Sequence, residues 1–186
     1  MTGHCSNQLK SHDHSILVLG IGNLLNTDEG VGPHAVRELK RAFHEMDGVQ
    51  LLDGGTLGLS LLPLIEDATH LLLLDAVDVG KPAGTLVEMD RDQIPLRGGM
   101  RLSQHQLTFQ EVMGLALIRA KLPEHVHLIG IQPGSLAIGV GLSPQVQATI
   151  PEMLNRTIQV LAGWGVVLPP IMNTPAASWI PDNQSF

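Results

Sequence analysis

Ile16 to Gly32 reads ILVLGIGNLLNTDEGVG. The run begins apolar and uncharged, as a strand buried in a parallel sheet does. It breaks at Gly20, turns through Gly22 and Asn23, and delivers Asp28 and Glu29 where a helix should begin. Thr27 suits an N-cap and Pro33 a first helical turn, and either start leaves both acids at the positive end of the helix dipole. Strand, loop and helix start together predict an open α/β sheet. In such sheets ligands gather outside the carboxyl ends of the strands, so Asp28 and Glu29 are candidates for chemistry.

The same pattern recurs downstream. Val49 to Leu52 is a short strand that runs into Asp53-Gly54-Gly55, and Leu57 to Asp67 has helical spacing at Leu61, Leu62 and Ile65. His70 to Leu74 is a continuous apolar run with Asp75 at its exit, and Thr85 to Met89 alternates like an edge strand. A loop marked by Pro95 leads to Ser103-Gln104-His105, ahead of a helical period from Phe109 to Ala120. Val126 to Ile131 is a further strand, Gln132-Pro133-Gly134-Ser135 opens a long loop, and Ser143-Pro144 starts a last helix reaching about Gly163. Strands alternating with helices imply βαβ units. The predicted fold is a single-domain, three-layer α/β structure with a mostly parallel twisted sheet of about five strands and helices on both faces. Its domain spans 15–167, between a polar tail at 1–14 and a Pro-rich tail at 168–186. Loss of Met1 would leave Thr2-Gly3-His4, an amine and imidazole arrangement suited to planar Cu(II) or Ni(II).

Composition narrows the function. The 186 residues carry 11 Lys and Arg against 18 Asp and Glu, a net charge of −7, which argues against nucleic acid as a partner. There is no Tyr, with two Trp and three Phe, so the core must be aliphatic. One cysteine, Cys5, excludes an internal disulfide framework. No stretch reaches the roughly 18 apolar residues of a membrane span. The expectation is a cytoplasmic protein that acts as a monomer without a membrane partner.

Three strand exits carry acids: Asp28 and Glu29, then Asp53, then Asp75. Parallel strands end on one edge, which predicts that these groups are neighbours, and like charges held together call for a cation. His105, in a polar loop, can complete a set of two carboxylates and one imidazole, leaving coordination positions open for water or substrate. The bland alternative is that the acids only cap helices and bind turn amides, and it weighs most for Asp28 and Asp53. Ser60 lies in a helical pattern without the second glycine of a nucleophile elbow, and Cys5 has no base beside it, so serine and thiol chemistry are disfavoured. Dinucleotide binding is the main rival, since Gly20-Ile21-Gly22 follows a strand. Leu25 replaces its third glycine, however, and two carboxylates would confront a pyrophosphate. His125 and His127 share a strand face with nothing acidic near them in the pattern.

Six blocks carry a resemblance to a known family. They are GIGNLLNTDEGVG at Gly20 to Gly32, LLDGGTLGLSLLP at Leu51 to Pro63, HLLLLDAVD at His70 to Asp78, SQHQLTF at Ser103 to Phe109, LIGIQP at Leu128 to Pro133 and GLSPQVQ at Gly141 to Gln147. In this order they resemble the hydrogenase maturation proteases, and the GLSLLP and DAVDVG wording is most similar to the branch serving uptake hydrogenases. The resemblance implies an endopeptidase that removes the C-terminal extension of the nickel-iron hydrogenase large-subunit precursor once nickel has been inserted. It places the metal-contacting residues on Glu29, Asp75 and His105. Nickel, carried by the substrate, is the implied metal, with another divalent ion possible in vitro. Two mechanisms remain open: metal as a recognition element, or metal that activates water with Asp28 or Asp53 as general base. A non-catalytic nickel-binding chaperone of the same assembly is the alternative function.

Overall fold

In the computed structural model the apolar runs pair into one five-stranded sheet. The structure describes residues 15–43, 45–55, 57–94 and 104–168, with side chains from 109 onward in the last segment. The polar and Pro-rich end segments, at 1–14 and 169–186, and residues 95–103, where a loop was expected, lie outside the described residues. The strands are β1 (Ile16–Ile21), β2 (Val49–Gly55), β3 (His70–Ala76), β4 (Leu86–Asp90) and β5 (His125–Ile131). The helices are α1 (Val31–Ala42), α2 (Leu62–Asp67), α3 (Gln104–Ile118) and α4 (Pro144–Gly163). Short 3-10 turns at Thr27–Gly30 and Gly58–Leu61 lead into α1 and α2.

The order across the sheet is β2-β1-β3-β5-β4. β1 is parallel to β2 and β3, and β3 is parallel to β5. Only the edge strand β4 is antiparallel. The single-domain, mostly parallel α/β expectation therefore holds. Strand alternation splits the core into two layers. Ile16, Val18, Leu72, Leu74, Ile129 and Ile131 face α1 and α4. Leu17, Leu19, Leu71, Leu73, Val126 and Leu128 face α2 and α3. The central strands are buried on both faces, which is why they read as unbroken apolar runs rather than alternating ones.

From β1 the chain moves one way to β2, and β3 lies on the other side, so the topological switch point falls between the carboxyl ends of β1 and β3. Backbone packs unusually close there. A Cβ on Gly32 would lie 2.1 Å from the Leu74 carbonyl oxygen, and one on Gly22 (φ +131°) would lie 1.7 Å from the Glu29 carbonyl oxygen. These two positions need glycine because the turn carrying the acids folds directly back over the ends of β1 and β3.

Several local expectations change. The first helix starts at Val31, after the 3-10 turn, so Pro33 lies in its first turn as expected while Thr27 begins the 3-10 turn instead of capping α1. The second helix is split, with Gly58–Leu61 in 3-10 form and only Leu62–Asp67 α-helical. His105, expected in a loop, lies in the first turn of α3. His127, expected to have no acidic neighbour, meets Glu88 and Asp90 because antiparallel β4 brings them alongside.

Candidate active site

The loop after β1 is held in place by a second loop more than a hundred residues away. Thr27 takes a left-handed backbone (φ 44°), uncommon for a β-branched residue. Its amide donates to the Gly139 carbonyl at 2.9 Å and its hydroxyl to the Ser135 carbonyl at 2.8 Å. The Gly139 amide returns a hydrogen bond to the Leu25 carbonyl.

Asp28 completes this tether. It is fully buried, and its Oδ2 accepts from the amides of Gly134 (2.8 Å) and Ser135 (3.0 Å) and from the Ser143 hydroxyl (2.8 Å). Its Oδ1 accepts from the Ser143 amide at 2.6 Å. Burial pushes the carboxyl upward, but these four hydrogen bonds outweigh it and hold the group below the ordinary Asp value.

Glu29 points elsewhere, because a 3-10 turn rotates successive side chains by about 120°. It is buried, and its Oε2 accepts from Asn26 Nδ2 at 2.5 Å. Its Oε1 is buried without a hydrogen-bond partner among the described residues. A buried carboxylate oxygen left unpaired is costly, and it is the kind of atom a cation satisfies. The turn that carries Glu29 packs against β3.

Asp75, near the end of β3, is buried and accepts from the Ala76 amide at 2.7 Å. Alternation along β3 places it with Leu71 and Leu73, on the face covered by α2 and α3. His105 belongs to the first turn of α3, one of the two helices on that face, and its side chain lies outside the described residues. Asp53 differs. β2 runs on to Gly55, so Asp53 falls in phase with Val49 and Leu51, on the face of α1. There its Oδ2 meets Arg37 Nη2 of α1 at 3.4 Å. The four strand-exit acids share a sheet edge but not a face.

Sequence reasoning missed three positioning side chains. Asn26, three residues before Glu29, fixes its carboxylate, and that spacing in a turn was a readable signal. Ser143 stands at the start of the last helix as expected, but its hydroxyl binds Asp28 instead of capping α4. Gln132 accepts from the amides of Val79 and Lys81 and donates to Asp78, fastening the loop after β3. No local pattern announces partners 51 to 54 residues away.

Residues 33–160 match the family model described as hydrogenase maturation protease. The chain belongs to this family. As a hydrogenase maturation protease it is a hydrolase, and its relatives extend the match beyond those residues. It is 44% identical over 157 residues to the hydrogenase expression/formation protein HupD of Thiocapsa roseopersicina, covering 83% of this chain and 71% of that one. It is 36% identical over 152 residues to the hydrogenase 2 maturation protease of Escherichia coli, covering 81% and 93%. The solved structure of the hydrogenase maturating endopeptidase HybD from Escherichia coli superposes with a TM-score of 0.77 at 33% identity, covering 83% of this protease and 96% of that chain.

Among the described residues, no three His, Cys, Asp or Glu side chains form a metal-holding group. Two of the three expected ligands, Glu29 and Asp75, are described, and the donor set they begin fits a divalent ion: buried carboxylates, one with an unpartnered oxygen. No described helix is long and apolar enough to cross a membrane.

Proposed function

We propose that this protease removes the C-terminal extension of a nickel-iron hydrogenase large-subunit precursor in the cytoplasm, after nickel insertion. Glu29, Asp75 and His105 are the residues that would hold the metal. The observation that carries this reading is the unpaired, buried Glu29 Oε1 at the β1/β3 switch point, on a turn packed against the strand that ends in Asp75. A metal bound there polarises a carbonyl and lowers the pKa of water. Asn26 holds Glu29 in one orientation, so its free oxygen is aimed before substrate arrives. Nickel enters as part of the substrate, which ties cutting to a loaded precursor.

Of the two candidate bases, Asp53 lies on the α1 face of the sheet, away from the face that carries Asp75. Its side chain is 32% exposed and is engaged by one long contact to Arg37. Asp28 has both oxygens committed to the 134–143 loop and a depressed pKa, so it is a poor proton acceptor near neutral pH. Incubating the full chain with nickel-loaded and nickel-free precursor, and following the released peptide by mass spectrometry, tests the reading. Release only from loaded precursor, lost in His105→Ala, is expected. Persistent full-length precursor would leave the chaperone alternative instead.

A further inference from the structure

The 134–143 loop that Asp28 anchors presents a row of apolar side chains to solvent. Ile138 is 93% exposed and Val140 87%, with Leu136 at 44% and, across the Leu25 to Gly139 hydrogen bonds, Leu25 at 63%. Exposed single aliphatics are ordinary, but four gathered on one rim are a patch. The rim is also uncharged in a chain of net charge −7: no Asp, Glu, Lys or Arg occurs from His125 to Pro151, or from Ser15 to Thr27.

On the protease reading above, we propose that Leu136, Ile138, Val140 and Leu25 form the docking ridge for an uncharged, apolar segment of the precursor protein next to the cut. A protease must hold the chain that flanks its scissile bond, and this ridge is bonded through backbone to the turn that carries Glu29. A segment lying across Ile138 and Val140 meets the bridge at Gly139, which pairs with Asn26, three residues before that acid. Four hydrogen bonds to a buried carboxylate, two more from Thr27 and the Gly139 bridge fix the loop before anything binds. Little conformational entropy then remains to be lost on docking, so burying the exposed aliphatics converts efficiently to affinity. The absence of charge along the rim favours an apolar stretch over a charged one, since a charged segment would lose hydration there without gaining a partner.

The test compares full-length wild type, Ile138→Ser/Val140→Ser, Ile118→Ser and His105→Ala for precursor binding and for cleavage kinetics. Ile118 is 83% exposed near the end of α3, away from the rim, and serves as the control. The double variant should melt like wild type, because both side chains are solvated. It should bind precursor about tenfold or more weakly and show the loss in KM, with kcat kept. Ile118→Ser should match wild type, and His105→Ala should bind but not cut. Wild-type KM in the double variant, alongside an inactive His105→Ala, overturns the ridge and leaves the protease reading standing. Wild type that neither binds nor cuts precursor overturns both. If the double variant converts a dimer to a monomer with precursor affinity unchanged, the ridge covers a second copy of this chain and the proposal falls. Should the double variant melt early, Ile138→Ser alone decides by the same criteria.

Discussion

Replacing Asp28 by Asn separates a structural carboxylate from a proton acceptor. The amide keeps the shape but offers one acceptor oxygen. If that oxygen stays with Gly134, Ser135 and the Ser143 hydroxyl, the new NH2 faces the Ser143 amide, donor against donor, across what was a 2.6 Å hydrogen bond. One buried N–H then loses its partner, at about 1–3 kcal/mol, and three charge-assisted bonds weaken to neutral ones, at a few tenths to about 1 kcal/mol each. The total is about 3 kcal/mol, or a fall of roughly 6–12 °C in Tm for a chain of this size. Thermal unfolding at pH 7 measures it. The pH dependence carries the sign. Because the folded pKa lies below the unfolded value, the carboxylate's contribution is present above about pH 4 and disappears as pH falls through the folded value. The gap between wild type and Asp28→Asn should therefore close in acid. An unchanged Tm with cleavage abolished would refute this account and make Asp28 the base.

Glu29→Gln should keep or slightly raise stability, within about 1 kcal/mol, because it removes a buried charge with one unpaired oxygen; calorimetry of metal binding together with the cleavage assay should show both functions lost. Gly32→Ala should cost more than about 3 kcal/mol or prevent folding, since its methyl would strike backbone of Leu74 and Ile21. Gly114→Ala, in α3 with nothing within 4 Å of the added carbon, should instead stabilise by about 0.5–1 kcal/mol, and urea titration of both glycine variants measures the difference. Arg156 keeps the Glu88 carboxyl below its ordinary value through a 2.7 Å ion pair, but the pair is partly exposed. Arg156→Ala should therefore cost under about 1 kcal/mol, and less still in high salt.

The sheet was legible because its information is local. Leu71 to Leu74 can be buried on both faces only in a central strand, and the turn residues between apolar runs mark the βαβ steps. Asp53 was nearly legible too. Had β2 been carried through Gly55, the period of two would have placed Asp53 with Leu51, toward α1, and away from Asp75. The start of α3 was hidden for the opposite reason. Its first turn, Gln104-His105-Gln106, is polar, so the apolar period begins a turn later than the helix and His105 reads as loop. The environment of His127 depended on the direction of β4, which an alternating pattern does not encode.

Asp28 and Glu29 show where local reading must fail. Both are acids, both are buried, and they are adjacent in one turn, so composition, charge and position treat them alike. The 3-10 geometry turns them apart. What then distinguishes them is the supply of donors: Asp28 meets three amides and a hydroxyl from residues 106 to 115 positions away, whereas Glu29 meets one side chain three positions away. A carboxylate saturated with donors has no lone pair left for a ligand, and one left short of donors has chemistry still to do. The two are coupled, since the loop Asp28 holds is the one that fixes Thr27, and Thr27 sets the turn from which Glu29 projects. Loosening Asp28 should therefore weaken the metal affinity of Glu29 at a distance, in proportion to its effect on stability and without touching the ligand set. A series of Asp28→Asn, Ser143→Ala and their combination would expose this as a correlated loss of Tm and metal binding, whereas metal binding indifferent to Tm across the series would show the two acids to be independent.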